Sequence, residues 1–268
     1  AVKLTGRDLD ILQMAGMDGL ATLACLNEKF WPGQSGKKCR ERLGQLVRAG
    51  WLERHYLDTV FSRGEPVFTL THLGARELKK ATGHQALFVG LPARGEIHQQ
   101  LLAQRARLRL EKELGARGLV LVEWTGERAL RSEAYRGRLS GRVDKKQAGG
   151  AGLNNTRTAP GEWGDAKAIF QDRTGGQSYS FNLEIDGQYW GRMLREKIEG
   201  LAESGHPVVW VTLPSRAGRI RAEIMRTGAN NIQVMVLALK TCQYHRKSYH
   251  KQGKGRQMNE YRRRSVGN

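Results

Sequence analysis

Cysteine is scarce in this chain, with only Cys25, Cys39 and Cys242 among 268 residues. Three such scattered residues do not make a zinc site, and their odd number does not suit a disulfide framework. Cys25 and Cys39 read as core residues; Cys242 has no assigned role. Long hydrophobic runs are missing too. No apolar stretch approaches the roughly 20 residues needed to cross a bilayer, and Arg7, Asp8 and Asp10 interrupt the first apolar positions, against a signal peptide. These absences predict a cytoplasmic protein with no membrane partner. Acidic residues are also in deficit, 26 against 45 Lys and Arg, for a formal net charge of +19. Such an imbalance favours a polyanionic partner bound in a salt-dependent way, through counterion release.

Hydrophobic residues make up 39% of the chain, enough for one large core or two smaller ones. The positive charge is uneven: about +4 over residues 1–90, about +7 over 91–239 and about +8 over the last 29. The tail from 241 to 268 interleaves Lys251, Lys254, Arg256, Arg262, Arg263 and Arg264 with Tyr244, Tyr249 and Tyr261. Its low apolar content argues against a packed core. Basic residues with spaced aromatics suit backbone tracking or stacking on unpaired bases. His245 and His250 lie near Cys242, but no second ligand pair completes zinc spacing.

Residues 1–90 carry the periodicity of three helices followed by a hairpin. Leu4, Leu9, Ile11, Leu12 and Ala15 share one face of a first helix, which Thr5 is placed to cap with Asp8 in its first turn. Ala21 to Phe30 predicts a second helix. A third starts at Ser35 or Gly36, with Cys39, Leu43, Leu46 and Val47 inward and Lys37, Lys38 and Arg40 outward. Two strands follow, Trp51 to Tyr56 and Pro66 to Leu70, and then a helix capped by Thr71. This is the pattern of a winged helix-turn-helix, whose third helix enters the major groove. Lys37, Lys38, Arg40 and Arg42 are the expected contacts from that helix, and Arg54 and Arg63 the phosphate contacts from the wing.

Residues 91–240 alternate helices with short apolar strands. A helix over Ile97 to Leu114 precedes the strand Leu119 to Trp124 and a short helix from Gly126. A long loop is expected over Gly137 to Glu162. Further strands are predicted at Ala166 to Gln171, Tyr179 to Ile185, Val208 to Leu213 and Val234 to Leu239, with helices over Trp190 to Ser204 and Ser215 to Arg226. The alternation implies a mixed α/β sheet with flanking helices on both faces. Two acidic positions, Asp165 and Glu184, end apolar strands. Adjacent strand ends would offer hard oxygen ligands for Mg²⁺ or Mn²⁺, with Asp186 as a further ligand. His98 reads as a core residue. Tyr189 reads as a core or phosphate-binding tyrosine in preference to a covalent nucleophile.

His98, Glu111, the string EWTGERALR, the Asp165 turn, the FNLEID strand and the REK of the next helix, in that order behind a winged helix, resemble the replication-relaxation proteins of mobile elements. Mobilisation relaxases of the MobC class are related to these. The resemblance implies a C-terminal domain similar to the PD-(D/E)xK restriction-endonuclease fold, with Glu111 as a third acidic contributor. The chain departs from that pattern twice. Gly164 replaces the proline, and Asp186 stands where the pattern has lysine; Lys197, near Arg195 on the following helix, is the candidate substitute. The resulting expectation is a DNA-processing protein that recognises double-stranded DNA at an origin and nicks or relaxes it with Asp165, Glu184, Asp186, Lys197 and Glu111. Single-stranded DNA and mobilisation or replication proteins are its further expected partners. The alternative is a non-catalytic DNA-binding accessory factor or repressor with a degenerate nuclease fold.

Overall fold

The computed structural model describes residues 2–57, 64–83, 87–127, 129–130, 164–187 and 189–237. Among them the chain is mixed α/β with two sheets, and no described helix is long and apolar enough to cross a membrane. The expected loop over 137–162, the basic tail, Cys242, Arg63 and Arg262, Arg263 and Arg264 lie outside the described residues.

Helix α1 (Gly6–Met17) starts where the sequence offers a capping box. The Asp8 carboxylate accepts from the Thr5 backbone N–H at 2.7 Å, while the Thr5 hydroxyl caps the Asp8 N–H, satisfying two donors that the first turn leaves open. The segment expected to be one helix from Ala21 divides. Ala21–Thr22 forms a two-residue strand, β1, and helix α2 covers Leu23–Phe30. The division occurs because the Thr22 side chain accepts from the Cys25 N–H at 3.1 Å and acts as the N-cap. Ala21, left in extended conformation, pairs with Phe68. Helix α3 (Gly36–Arg48) turns Cys39, Leu43 and Leu46 inward. Strands β2 (Leu52–Tyr56) and β3 (Pro66–Leu70) pair antiparallel and complete a three-stranded sheet in the order β1-β3-β2. Helix α4 (His72–Thr82) is capped by Thr71. Cys25 and Cys39 lie in the core of this unit, and burial pushes their thiols up to about 12 and about 11.

Helix α5 (Arg94–Gly115) joins this unit to the second sheet. Leu108 belongs to the first core, whereas Ile97, Leu101, Leu102 and Ala106 belong to the second. The fully buried Gln104 amide binds β1 on either side of Ala21, donating to the Leu20 carbonyl at 2.8 Å and accepting from the Thr22 N–H at 3.1 Å. Buried amides of this kind hold backbone that would otherwise be left unsatisfied.

The second sheet has the order β4-β5-β6-β7-β8, from β4 (Leu119–Gly126), β5 (Ala166–Asp172), β6 (Ser178–Ile185), β7 (Val208–Thr212) and β8 (Ile232–Val236). The β4-β5 and β5-β6 pairs are antiparallel; β6-β7 and β7-β8 are parallel. Helix α6 (Gly191–Glu203) and helix α7 (Pro214–Thr227) make the crossovers that parallel pairing requires. Side-chain alternation then gives two cores. Leu183, Ile185 and Val211 face α5, while Val208 and Trp210 face α6 and α7. The last strand begins two residues before the expected Val234, because pairing of Ile232 with Val208 fixes its register.

Candidate active site

The β5-β6 register brings Asp165 to Glu184. Ala166 pairs with Leu183, so Asp165 and Glu184 occupy the next rung and share a face. The Ile185 N–H donates to Asp165 Oδ2 at 2.7 Å and fixes that carboxylate. Gly164, which precedes Asp165, meets backbone closely. A Cβ at this position would lie 2.3 Å from the Leu183 carbonyl oxygen, so neither proline nor any other side chain fits without moving the strand.

Glu184 is fully buried and opposite Trp210 on the face covered by α6 and α7. Leu194, Ile198 and Leu201 form the inward stripe of α6. Lys197, beside that stripe, places its Nζ 3.0 Å from Glu184 Oε2. At this distance Lys197 acts on Glu184 chiefly as a counter-charge within hydrogen-bond reach, and the Tyr189 hydroxyl is its other polar neighbour. Burial raises the Glu184 carboxyl well above the usual range, Asp165 adds to this by repulsion, and Lys197 only partly opposes it. Glu127, at the end of β4, adds further repulsion. Tyr189 packs edge-on against Trp210 at 6.3 Å. Burial, followed by the charges of Glu184 and Asp165, pushes its phenol upward, so the hydroxyl keeps its proton at neutral pH and is not an activated nucleophile.

Asp186 has a different environment. It is 4% exposed and held by a guanidinium fork, with Arg216 Nε 2.5 Å from Oδ2 and Nη2 2.9 Å from Oδ1. Thr212 donates to Oδ2 at 2.7 Å. This corrects its placement as a metal ligand beside Asp165 and Glu184, since its oxygens already serve Arg216 and Thr212. The arginine lies thirty residues away in sequence, and no local pattern links it to Asp186. His98, on α5, is near enough for Asp186 to oppose the downward shift that burial imposes on its imidazole.

Glu111 also lies elsewhere. Its carboxylate takes Lys29 Nζ at 2.6 and 2.5 Å and Arg107 Nε at 3.0 Å, at the junction with α2. The acidic residue that α5 brings to the cavity beside Asp165 is Glu96, together with Glu127 and Asp18. Glu96 precedes Glu111 by about 22 Å of helix. Among the described residues, no three His, Cys, Asp or Glu side chains gather as a metal-binding group. The donor set that remains is the Asp165–Glu184 pair. Two carboxylates on adjoining strand ends are hard oxygen donors of the number that Mg²⁺ or Mn²⁺ commonly takes from protein, the remaining positions being filled by water or phosphate.

On the first unit, Lys37, Lys38 and Arg40 project from α3 into solvent, as does Arg54 from β2. Arg54 packs over the Phe68 ring at 5.8 Å. Arg48 joins them, since the tips of Arg48 and Arg54 both border Gly44. Arg42 requires a correction. It grips the buried Asp8, with Nε 2.8 Å from Oδ1 and Nη2 against Oδ2, and Nη2 also reaches the Lys3 carbonyl at 2.9 Å. Its donors are spent inside the fold and do not project into a groove.

No protein-family model, no curated protein and no solved structure matches this chain.

Proposed function

We propose that the chain is a DNA-processing protein of a mobile element, in which residues 1–90 form a winged helix that binds duplex DNA and residues 91–240 a PD-(D/E)xK-like domain that cuts one strand. The observation that carries this reading is the contact of Lys197 with the buried Glu184 beside Asp165. It places acid, acid and base together although the chain has Asp186 where the motif has lysine. Asp165 and Glu184 would hold Mg²⁺ or Mn²⁺, which when bound polarises a phosphodiester and lowers the pKa of bound water. In this reading Lys197, held against Glu184, would offset the negative charge that grows on the attacked phosphate. Tyr189 and Trp210 wall the site with apolar surface, which strengthens each charge interaction inside it. The exposed cations Lys37, Lys38, Arg40, Arg48 and Arg54 supply the contacts to duplex DNA.

Nicking of supercoiled plasmid in Mg²⁺ tests the assignment. Asp165→Ala, Glu184→Ala and Lys197→Met are each expected to lower the rate by about 100-fold or more, and chelation of the metal to abolish nicking. Wild-type rates in all three variants would refute the site. A second reading, a DNA-binding accessory factor or repressor that does not cut, is favoured by the engagement of Asp186 with Arg216. It predicts duplex binding without scission and without metal dependence.

A further inference from the structure

An aromatic-cationic surface lies directly beyond the acidic strand. Trp190 follows Asp186 by four residues, precedes α6 and is 58% exposed. An indole left this open presents a large, rigid apolar surface with a polar edge. Two guanidinium groups lie against its ring, Arg216 at 4.6 Å and Arg219 at 4.5 Å from the centroid. Both come from α7, one turn apart, and with both in place the indole is still more than half exposed.

The platform is built, since its parts are fixed from below. Arg216 is 12% exposed, forks onto Asp186 and donates to the Tyr189 carbonyl at 2.7 Å. That last bond fixes the backbone immediately before Trp190. Arg216 Nη1 is buried without a hydrogen-bond partner. Arg219 is exposed and available to an anion. A flat indole for a base and an exposed guanidinium for its phosphate are the two components of sequence-tolerant recognition of unpaired nucleic acid.

We propose that Trp190 and Arg219, held by Arg216, bind an unpaired nucleotide of single-stranded DNA next to the Asp165–Glu184–Lys197 site. The proposal rests on the DNA-processing reading above and deepens it: the platform would hold a base released from the duplex while its backbone passes the acidic pair. Duplex DNA keeps its base faces stacked inside the helix, so stacking on Trp190 selects the unpaired strand.

The experiment is fluorescence anisotropy of the full chain with a labelled dT oligonucleotide of about 12 nucleotides and, separately, a labelled duplex, both in EDTA. Excluding metal makes the result independent of whether the acidic site cuts, so failure of stacking and failure of the nuclease reading remain distinguishable. Trp190→Ala is expected to weaken single-strand binding by at least about fivefold, Trp190→Phe by less, and duplex binding by less than about twofold. Arg219→Gln should weaken single-strand binding and flatten its salt dependence. Circular dichroism establishes that each variant is folded. Wild-type single-strand affinity in folded Trp190→Ala would overturn the proposal, as would equal losses for single strand and duplex. In the first case the exposed indole would serve some other partner, such as a protein.

Discussion

Replacing Arg42 with alanine separates a folding role from a DNA-contacting role for the same residue. Asp8 is 1% exposed, and its carboxylate is neutralised by the Arg42 fork and by the Thr5 N–H and hydroxyl. Removing one partner from a fully buried ion pair costs roughly 3–5 kcal/mol. Here Arg42 stays 24% exposed and Thr5 still serves one oxygen, so the expected loss is about 2–3 kcal/mol. For a chain of this size that lowers Tm by roughly 4–12 °C. Thermal unfolding by circular dichroism at pH 7.5 measures it, with Lys38→Ala, an exposed neighbour, as the comparison expected within about 1 °C of wild type. The pH dependence has a definite sign. Burial pushes the Asp8 carboxyl up, but hydrogen bonds from Arg42 and Thr5 outweigh it and hold the folded-state value below the ordinary 3.8. The pair's stabilisation is therefore fully present above that ordinary value and lost as the pH falls through the lower folded-state value. The gap between wild type and Arg42→Ala should be widest at neutral pH and narrow towards acid, because the variant's Asp8 keeps the burial that raises its carboxyl and loses the arginine that lowers it, and so protonates first. An Arg42→Ala protein that melts with wild type yet binds DNA poorly would refute the structural role.

Two further predictions concern the acidic site. Glu184→Gln removes a buried charge that Lys197 only partly opposes and should raise Tm at neutral pH while abolishing nicking. Because the folded-state carboxyl titrates well above its ordinary 4.5, wild-type stability should fall as the pH rises from that ordinary value through the folded one, and the variant should lack this slope; parallel Tm-against-pH curves would contradict the burial argument. Gly164→Ala drives a Cβ against the Leu183 carbonyl and should cost about 1–3 kcal/mol, read from urea midpoints. An unchanged midpoint would show that the close approach can relax.

Local signals in the chain were sufficient for local structure. Thr5 with Asp8 and Thr71 marked helix starts that the backbone uses, because a cap needs only residues within one turn. Short apolar runs likewise marked Pro66–Leu70 and most of Ala166–Asp172 and Ser178–Ile185. Thr22 was the exception, a capping residue hidden inside an apolar run, and it splits a predicted helix into β1 and α2. The Asp165–Glu184 pairing could be anticipated only as a condition, adjacency of two strand ends. The β5-β6 register supplies that condition.

By itself the sequence determined an excess of positive charge, a set of amphipathic elements and a short inventory of acidic and basic candidates. Tertiary structure decided which of them meet. Arg42 turns to Asp8, Glu111 to Lys29 and Arg107, and Asp186 to Arg216, while Lys197 goes to Glu184. The physical reason is that burying a charge is costly unless a counter-charge lies within a few ångströms. Apart from the helical i,i+4 contact of Arg107 with Glu111, the partner is set by strand order and helix packing, across 13 residues for Lys197 and Glu184 and 30 or more for the Asp8–Arg42, Lys29–Glu111 and Asp186–Arg216 pairs.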